Sequence, residues 1–261
     1  MSDQPAVLIT GASTGIGAVY ADRFARRGHD LVLVARDQAR LEALAERLRR
    51  ETGVAVDLLR ADLADAADLA KIEDRLREDA RIGVLVNNAG ASLPGGFLDQ
   101  SPDAVAGLVA LNVTAPARLT AAVAPRFAAE GRGAIVNLGS VIGLAPEMGA
   151  TVYGATKAFV LFLSQSLQTE LGPKGVYVQA VLPAATRTEI WERAGKDVNA
   201  LPAVMEVDDL VDAALLGFDR REPVTIPPLP DAAQWEAAEA ARQALIPGFA
   251  NARPAERYRA A

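Results

Sequence analysis

The sequence predicts an α/β fold: a doubly wound parallel sheet of seven strands with helices on both faces. Three observations carry that prediction. Short apolar, β-branched runs alternate with longer helical patterns over 261 residues; neither an internal repeat nor a Ser/Gly linker interrupts them; and a glycine-rich loop joins the first strand to the first helix. Strand–helix alternation of this kind is satisfied by parallel strands with helical crossovers packed on both sides.

Taken in order, the strands are 6–9, 31–34, 54–59, 84–86, 134–138, 176–181 and 223–226, with 54–59 the weakest. Their length and branched aliphatics suit strands buried on both faces. Between them the spacing predicts helices at about 14–28, 38–51, 65–79, 103–129, 152–172 and 207–219. Within the second, Leu41, Leu44, Ala45 and Leu48 fall at i, i+3, i+4 and i+7, one apolar stripe. The whole of 1–261 reads as one such domain, with a substrate-loop region at 184–206 and a C-terminal extension at 227–261. That extension opens on Pro227-Pro228-Leu229-Pro230, carries an alanine-rich helix near 231–245, and ends in a loosely docked tail. In open α/β sheets the ligand crevice lies beyond the carboxyl ends of the strands.

Composition narrows the chemistry. The chain is 51% hydrophobic but only 5% aromatic, so aliphatics and alanine build the core. Its net charge of −6 lacks the basic face that nucleic acid requires. No cysteine occurs, which removes disulfide and thiolate chemistry. His29 is the single histidine, leaving no set for a Ser-His-Asp triad or a multi-histidine metal site, and no metal is expected. The start Met1-Ser2-Asp3-Gln4-Pro5 carries no basic n-region, and no apolar run is expected to be long enough to span a bilayer. A cytoplasmic protein with no membrane partner is expected.

Tyr153 and Lys157 stand four residues apart in a predicted helix, hence on one face, with Ser140 upstream at the end of an apolar strand. An ammonium near a phenol favours the phenolate, so Lys157 is expected to lower the Tyr153 pKa and let it exchange a proton with a carbonyl or alcohol oxygen. Such pairs also arise by chance on exposed helices, and the glycine loop gives this one its weight. In Thr10-Gly11-Ala12-Ser13-Thr14-Gly15-Ile16-Gly17 the three glycines allow a tight turn and close approach of a pyrophosphate to the helix N-terminus. Strand, loop and helix occur in the order that such a motif needs.

Nucleotide choice is read after the second strand. A dinucleotide with free ribose hydroxyls usually meets a carboxylate there, but this chain has Ala35 followed by Arg36. A guanidinium there suits a 2′-phosphate, with Ser13 as a further donor, so NADP(H) is favoured. Asp37 leaves room for NAD(H), or caps the next helix while Arg36 is merely solvated. Asp62, with Leu63 beside it, either accepts from the adenine amino group or caps the following turn.

Together, the loop at 10–17, the turn Asn87-Asn88-Ala89-Gly90, Asn112, Ser140 and the Tyr153/Lys157 pair resemble the short-chain dehydrogenases/reductases in their single-domain, Rossmann-fold form. The resemblance runs from about residue 6 to about 190, and 207–226 fits more loosely. It implies a catalytic tetrad of Asn112, Ser140, Tyr153 and Lys157. Tyr153 would be the general acid or base, Ser140 a donor to the substrate oxygen, Lys157 a hold on the nicotinamide ribose, and Asn112 a support for the lysine through a water relay. It places Gly11, Ser13, Thr14, Gly15, Ile16 and Gly17 at the pyrophosphate, and Asn88, Ala89 and Gly90 beside the adenosine ribose. A structural role for Asn87 and Asn88 is equally open. Family members commonly carry Pro-Gly after the sixth strand, whereas this chain reads Pro183-Ala184. Pro183, Ala185, Thr186 and Thr188 are still expected near the nicotinamide, Thr188 at its carboxamide. In this family the helices at 103–129 and 152–172 commonly pair across a two-fold axis, implying a homodimer or homotetramer.

Substrate choice is expected from the loops at 91–98, 141–150 and 189–206, where Leu93, Phe97, Ile142, Leu144, Pro146, Met148, Ile190, Trp191 and Met205 offer an apolar lining. The function expected is hydride transfer between an apolar carbonyl or alcohol and NADP(H). Two other readings compete: a dinucleotide-binding redox sensor or scaffold without turnover, and a related enzyme performing dehydration or epimerisation.

Overall fold

The computed structural model describes residues 4–195 and 197–259. Seven strands form one sheet: β1 (Ala6–Thr10), β2 (Leu31–Ala35), β3 (Val56–Arg60), β4 (Ile82–Asn87), β5 (Ala134–Leu138), β6 (Tyr177–Val181) and β7 (Val224–Thr225). Their order is β3-β2-β1-β4-β5-β6-β7, and every pairing is parallel. The chain therefore winds outward from β1 to β3, then crosses back to place β4 on the other side of β1. That reversal opens a crevice between the ends of β1 and β4.

Alternation along each strand builds two cores. Val7, Ile9, Leu31 and Leu33 meet Tyr20, Phe24, Leu41 and Leu48 on one face, whereas Leu8, Val32, Val34 and Leu85 meet Ile72, Leu76, Val123 and Phe127 on the other. Side chains in a strand point to opposite faces in turn, so a continuously apolar strand supplies both layers.

The covering helices are α1 (Gly15–Arg26), α2 (Gln38–Thr52), α3 (Ala66–Glu78), α4 (Pro102–Val109), α5 (Ala115–Glu130), α6 (Thr151–Leu171), the short α7 (Ile190–Arg193) and α8 (Val207–Asp219). Asp37 caps α2 by accepting from Arg40 N–H, and Gly53 ends it at φ 76°. Asp65 caps α3 in the same manner.

The single helix expected at 103–129 is interrupted. Ala110–Thr114 forms a π-turn between α4 and α5, in which Ala115 N–H bonds the Ala110 carbonyl. The turn ends two residues before Pro116, which has no N–H to give the Asn112 carbonyl. Together 102–130 reach the length and apolarity of a membrane span, where no apolar run of that length is expected from sequence. Leu119, Val123 and Phe127 of this stretch are core residues of the sheet.

Contacts divide the chain in two where one domain with an extension is expected from sequence: Met1–Pro227 and Pro228–Ala261. The second unit contains α9 (Ala232–Gln243), capped by Asp231 and without a buried residue, followed by 3₁₀ turns at Ile246–Ala250 and Glu256–Tyr258.

Candidate active site

The glycine loop and the Asn87–Gly90 turn meet at the crevice and are stitched together. Thr10 Oγ1 accepts from Asn88 N–H and Ala89 N–H, both at 3.0 Å. In return the Asn88 amide donates to the carbonyls of Thr10 (2.8 Å) and Gly11 (3.2 Å). Gly17 is required by contact: a Cβ there would stand 2.4 Å from the Gly11 carbonyl oxygen and 2.5 Å from the Asn88 amide nitrogen. Gly11 is required by conformation, at φ +67°. Asn87 is structural, donating to Thr120 Oγ1 and Asn137 Oδ1 in the core.

A groove of about 540 Å³ runs over this stitched floor, lined by Gly11, Ser13, Thr14, Gly15, Ile16, Ala89 and Gly90. Thr14 caps α1 without a side-chain bond, which leaves the helix N-terminal N–H groups for a ligand. Arg36, Asp62 and Leu63 line the far end. There the Arg36 guanidinium reaches only to 3.8 Å from Asp62. Asp62 itself accepts from Ala64 N–H at 3.0 Å, the turn-capping alternative. Asp37 is taken up by its cap on α2. Gly17 does not line the groove; it packs beneath it.

Ser140, Tyr153 and Lys157 converge on a second cavity of about 460 Å³. Ile16, Asn88, Gly90 and Thr188 line both spaces, so the two are contiguous. Ser140 follows β5 and begins a 3₁₀ turn; its Oγ accepts from Ile142 N–H (3.3 Å) and donates to the Pro183 carbonyl (3.2 Å). Tyr153 sits in the first turn of α6. Gly143 lets that 3₁₀ turn lie against α6, since a Cβ there would come within 2.7 Å of Ala158 N. No motif singled out Gly143; its need appears only when the two segments meet.

Burial pushes the Tyr153 phenol up to about 12, against a hydrogen bond with Ser140 that pulls it down. Burial also lowers the Lys157 ammonium to about 8. The phenol thus moves up, through burial, where proximity to Lys157 is expected to bring it down. The ammonium donates to the Leu138 carbonyl at 2.7 Å and lies 5.6 Å from the Tyr153 ring centroid. Desolvation is the leading influence on both groups.

Asn112 is buried inside the π-turn. Its amide accepts from Ala91 N–H (3.0 Å) and donates to the Ala91 carbonyl (2.9 Å) and Thr156 Oγ1 (3.1 Å). Thr156 Oγ1 in turn donates to the Tyr153 carbonyl at 2.7 Å. Asn112 therefore ties the β4 exit to the helix that bears the tyrosine.

Pro183, Ala185, Thr186 and Thr188 all border the Tyr153 cavity. Ala184 does so without strain, because the positive-φ non-glycine residues among those described are Ala150 and Arg221. Of the expected apolar lining, Ile142, Met148, Ile190 and Trp191 are present, and the Trp191 indole N–H is fixed on the Thr186 carbonyl at 2.7 Å. Leu93, Phe97, Leu144, Pro146 and Met205 lie elsewhere; Phe97 and Leu144 are exposed, and Met205 bridges to Thr186 through its backbone. Ala194, Leu201, Pro202 and Ala203 complete the wall and carried no signal in sequence. Within 184–206, Lys196 lies outside the described residues.

The family model for short chain dehydrogenases matches residues 5–199. Among solved structures, a short-chain dehydrogenase from Sphingobium yanoikuyae in complex with NADPH is 68% identical, with a TM-score of 0.97 over 98% of this chain and 100% of that one. A bulky-bulky ketone specific alcohol dehydrogenase from Comamonas testosteroni is 60% identical, with a TM-score of 0.92 over 98% and 99%. Very-long-chain 3-oxoacyl-CoA reductase-A of Danio rerio is 37% identical over 188 residues, covering 70% of this chain and 58% of its own length. 17-beta-hydroxysteroid dehydrogenase type 3 of Homo sapiens is 36% identical over 213 residues, covering 80% and 68%. The chain thus spans less than two thirds of the first of these curated relatives. With its stitched glycine loop, its doubly wound sheet and its Ser140–Tyr153–Lys157 wall, this chain belongs to the short-chain dehydrogenase family.

Proposed function

We propose that the chain is an NADP(H)-dependent oxidoreductase that interconverts bulky apolar ketones and secondary alcohols. One observation carries the reading: a hydroxyl, a phenol and an ammonium share the wall of an apolar cavity that continues into the glycine groove. The groove fits a dinucleotide, because glycines hold its floor open and the α1 N-terminus presents N–H donors to a pyrophosphate. Arg36 and Ser13 would take the 2′-phosphate, and the NADPH complex of the 68%-identical relative supports that preference.

When bound, the nicotinamide supplies or accepts the hydride. Tyr153 gives its phenolic proton to the carbonyl oxygen in reduction and takes it back in oxidation. A phenol held up by burial is fully protonated at neutral pH, which suits the reducing direction. Ser140 donates to the same oxygen as negative charge develops on it. Lys157 stands beside the ring as a cation for the ribose hydroxyls. Asn112 and Thr156 hold α6 against the β4 exit, so the phenol keeps its aim.

The cavity wall of Ile142, Met148, Ile190, Trp191, Leu201 and Pro202 favours a ketone with two sizeable apolar arms; the bulky-bulky ketone specificity of the Comamonas testosteroni relative supports this. The exposed Phe162 and Phe159 of α6 support a homodimer or homotetramer, which light scattering would size. The enzymatic test is a panel of aryl and long-chain ketones with NADPH, followed at the reduced-nicotinamide absorbance. Turnover that Tyr153→Phe abolishes while NADPH still binds is expected; NADPH binding with no turnover on any ketone would favour a sensor or scaffold. Arg36→Ala should weaken NADPH far more than NADH, and equal weakening would remove Arg36 from the 2′-phosphate.

A further inference from the structure

One residue of the groove's lining, Glu189, is held by an ion pair between elements far apart in sequence. Arg40, in the first turn of α2, donates through one guanidinium nitrogen to both oxygens of Glu189, at 2.8 and 2.9 Å. Arg40 is itself held from below: its N–H donates to Asp37 Oδ1 at 3.0 Å, and its guanidinium lies 3.4 Å from Asp37 Oδ2. Glu189 lines the groove together with Arg36 and Gly15.

The residues on either side of Glu189 face the ligand spaces. Thr188 lies over the glycine loop, its Cγ2 3.2 Å from where a Gly15 Cβ would sit. Ile190 lines both cavities, and Trp191 walls the Tyr153 cavity. A movement of Glu189 away from Arg40 would thus carry the lid of both spaces with it.

We infer that Arg40 is a positioning residue: through Glu189 it latches the 186–191 segment across the dinucleotide groove, and the latch opens for the nucleotide to exchange. This inference rests on the dinucleotide reading of that groove. Both partners are partly exposed, so the pair is weak and screened by salt, as a latch that opens in each cycle needs to be. A simple field effect is a different mechanism with a different signature. Loss of the Arg40 cation would loosen an anionic ligand, whereas loss of the Glu189 carboxylate would tighten it. A latch is broken from either side, so both changes hasten release.

The test uses the full chain. NADPH and NADH release are followed by stopped-flow fluorescence for wild type, Arg40→Gln, Glu189→Gln and the double variant. Each single variant is expected to release both nucleotides about 1.5- to fivefold faster, the range a surface pair can supply. The double variant should be no faster than either single one, and raised salt should hasten release from wild type more than from the variants. Opposite effects of the two single variants would overturn the latch. So would a change confined to NADPH, which would make Arg40 a direct phosphate ligand. Hydrogen exchange without nucleotide supplies an independent readout: amides of 186–191 should exchange faster in Arg40→Gln, and unchanged exchange would sink the latch even if NADPH binds. Failure of either nucleotide to bind, with faster exchange retained, would overturn the nucleotide assignment and leave the latch standing.

Discussion

The Lys157 ammonium is bonded to the Leu138 carbonyl, the last of β5, at 2.7 Å. The lysine is therefore anchored to the sheet as well as standing beside the tyrosine ring. A cation so placed answers to the strand end before it answers to the phenol, and both groups titrate according to their burial.

Tyr153 should behave as an ordinary, reluctant acid in the protein without nucleotide. A phenolate difference titration of wild type against Tyr153→Phe is expected to show no Tyr153 ionisation below about pH 11. A step near neutrality would overturn the assignment of burial as the dominant influence.

The Lys157 shift predicts a pH dependence of stability. Its pKa is lowered from 10.5 to about 8 in the fold, so between those values the unfolded chain binds the proton more readily and stability rises with pH. Below about pH 8 the full cost of burying the charge is present. Lys157→Met should accordingly exceed wild type by more near pH 7 than near pH 10, the gap closing by up to about 3 kcal/mol. Urea midpoints at the two ends measure it.

Gly17→Ala forces a methyl against the Gly11 carbonyl and the Asn88 amide. Overpacking on backbone that cannot yield should cost about 1–3 kcal/mol and distort the loop floor. Thermal melting reads the first effect, and a loss of NADPH fluorescence enhancement reads the second.

Asn112→Ala would leave Ala91 N–H, the Ala91 carbonyl and Thr156 Oγ1 each short of a partner in a buried site. A loss of about 1–3 kcal/mol per orphaned group is the scale expected, visible in chemical denaturation. Asn112→Asp keeps the acceptor for Ala91 N–H only, and should recover part of the loss.

Ala150 occupies φ 57° at the N-cap of α6, on the rim of the Tyr153 cavity. Ala150→Gly removes a Cβ from a left-handed position and should raise stability by roughly 1 kcal/mol. A melting temperature that falls instead would show that the methyl packs usefully.

What could be read in advance follows a physical division. The inner strands were visible because they are apolar on both faces, β3 only weakly because Asp57 and Arg60 interrupt its apolar run, and the helices because their stripes repeat every turn. Ser140, Tyr153 and the glycine loop were visible because their chemistry depends on residue type at fixed spacing. At Asn112, a poor helix former in mid-helix, a kink was one open reading, but its form as a π-turn was not legible: the lost N–H of Pro116 says that a carbonyl is orphaned, not how the helix accommodates it. Leu201, Pro202 and Ala203 were invisible for another reason. Their place in the wall depends on how the 184–206 segment returns across the strand ends, which no local pattern encodes. The Lys157 influence was misjudged because spacing gives proximity but not desolvation.

The π-turn at Ala110–Thr114 stores one surplus residue in the middle of a long helical run. Removing a single residue there would return the run to a regular spiral with the faces before and after it still in phase, because the wide turn already absorbs the extra residue. Leu119, Val123 and Phe127 would keep their places against the sheet, and what would be lost is the turn that holds Asn112 against Ala91 and Thr156. The extra residue thus serves the placement of one amide and not the packing of the helix.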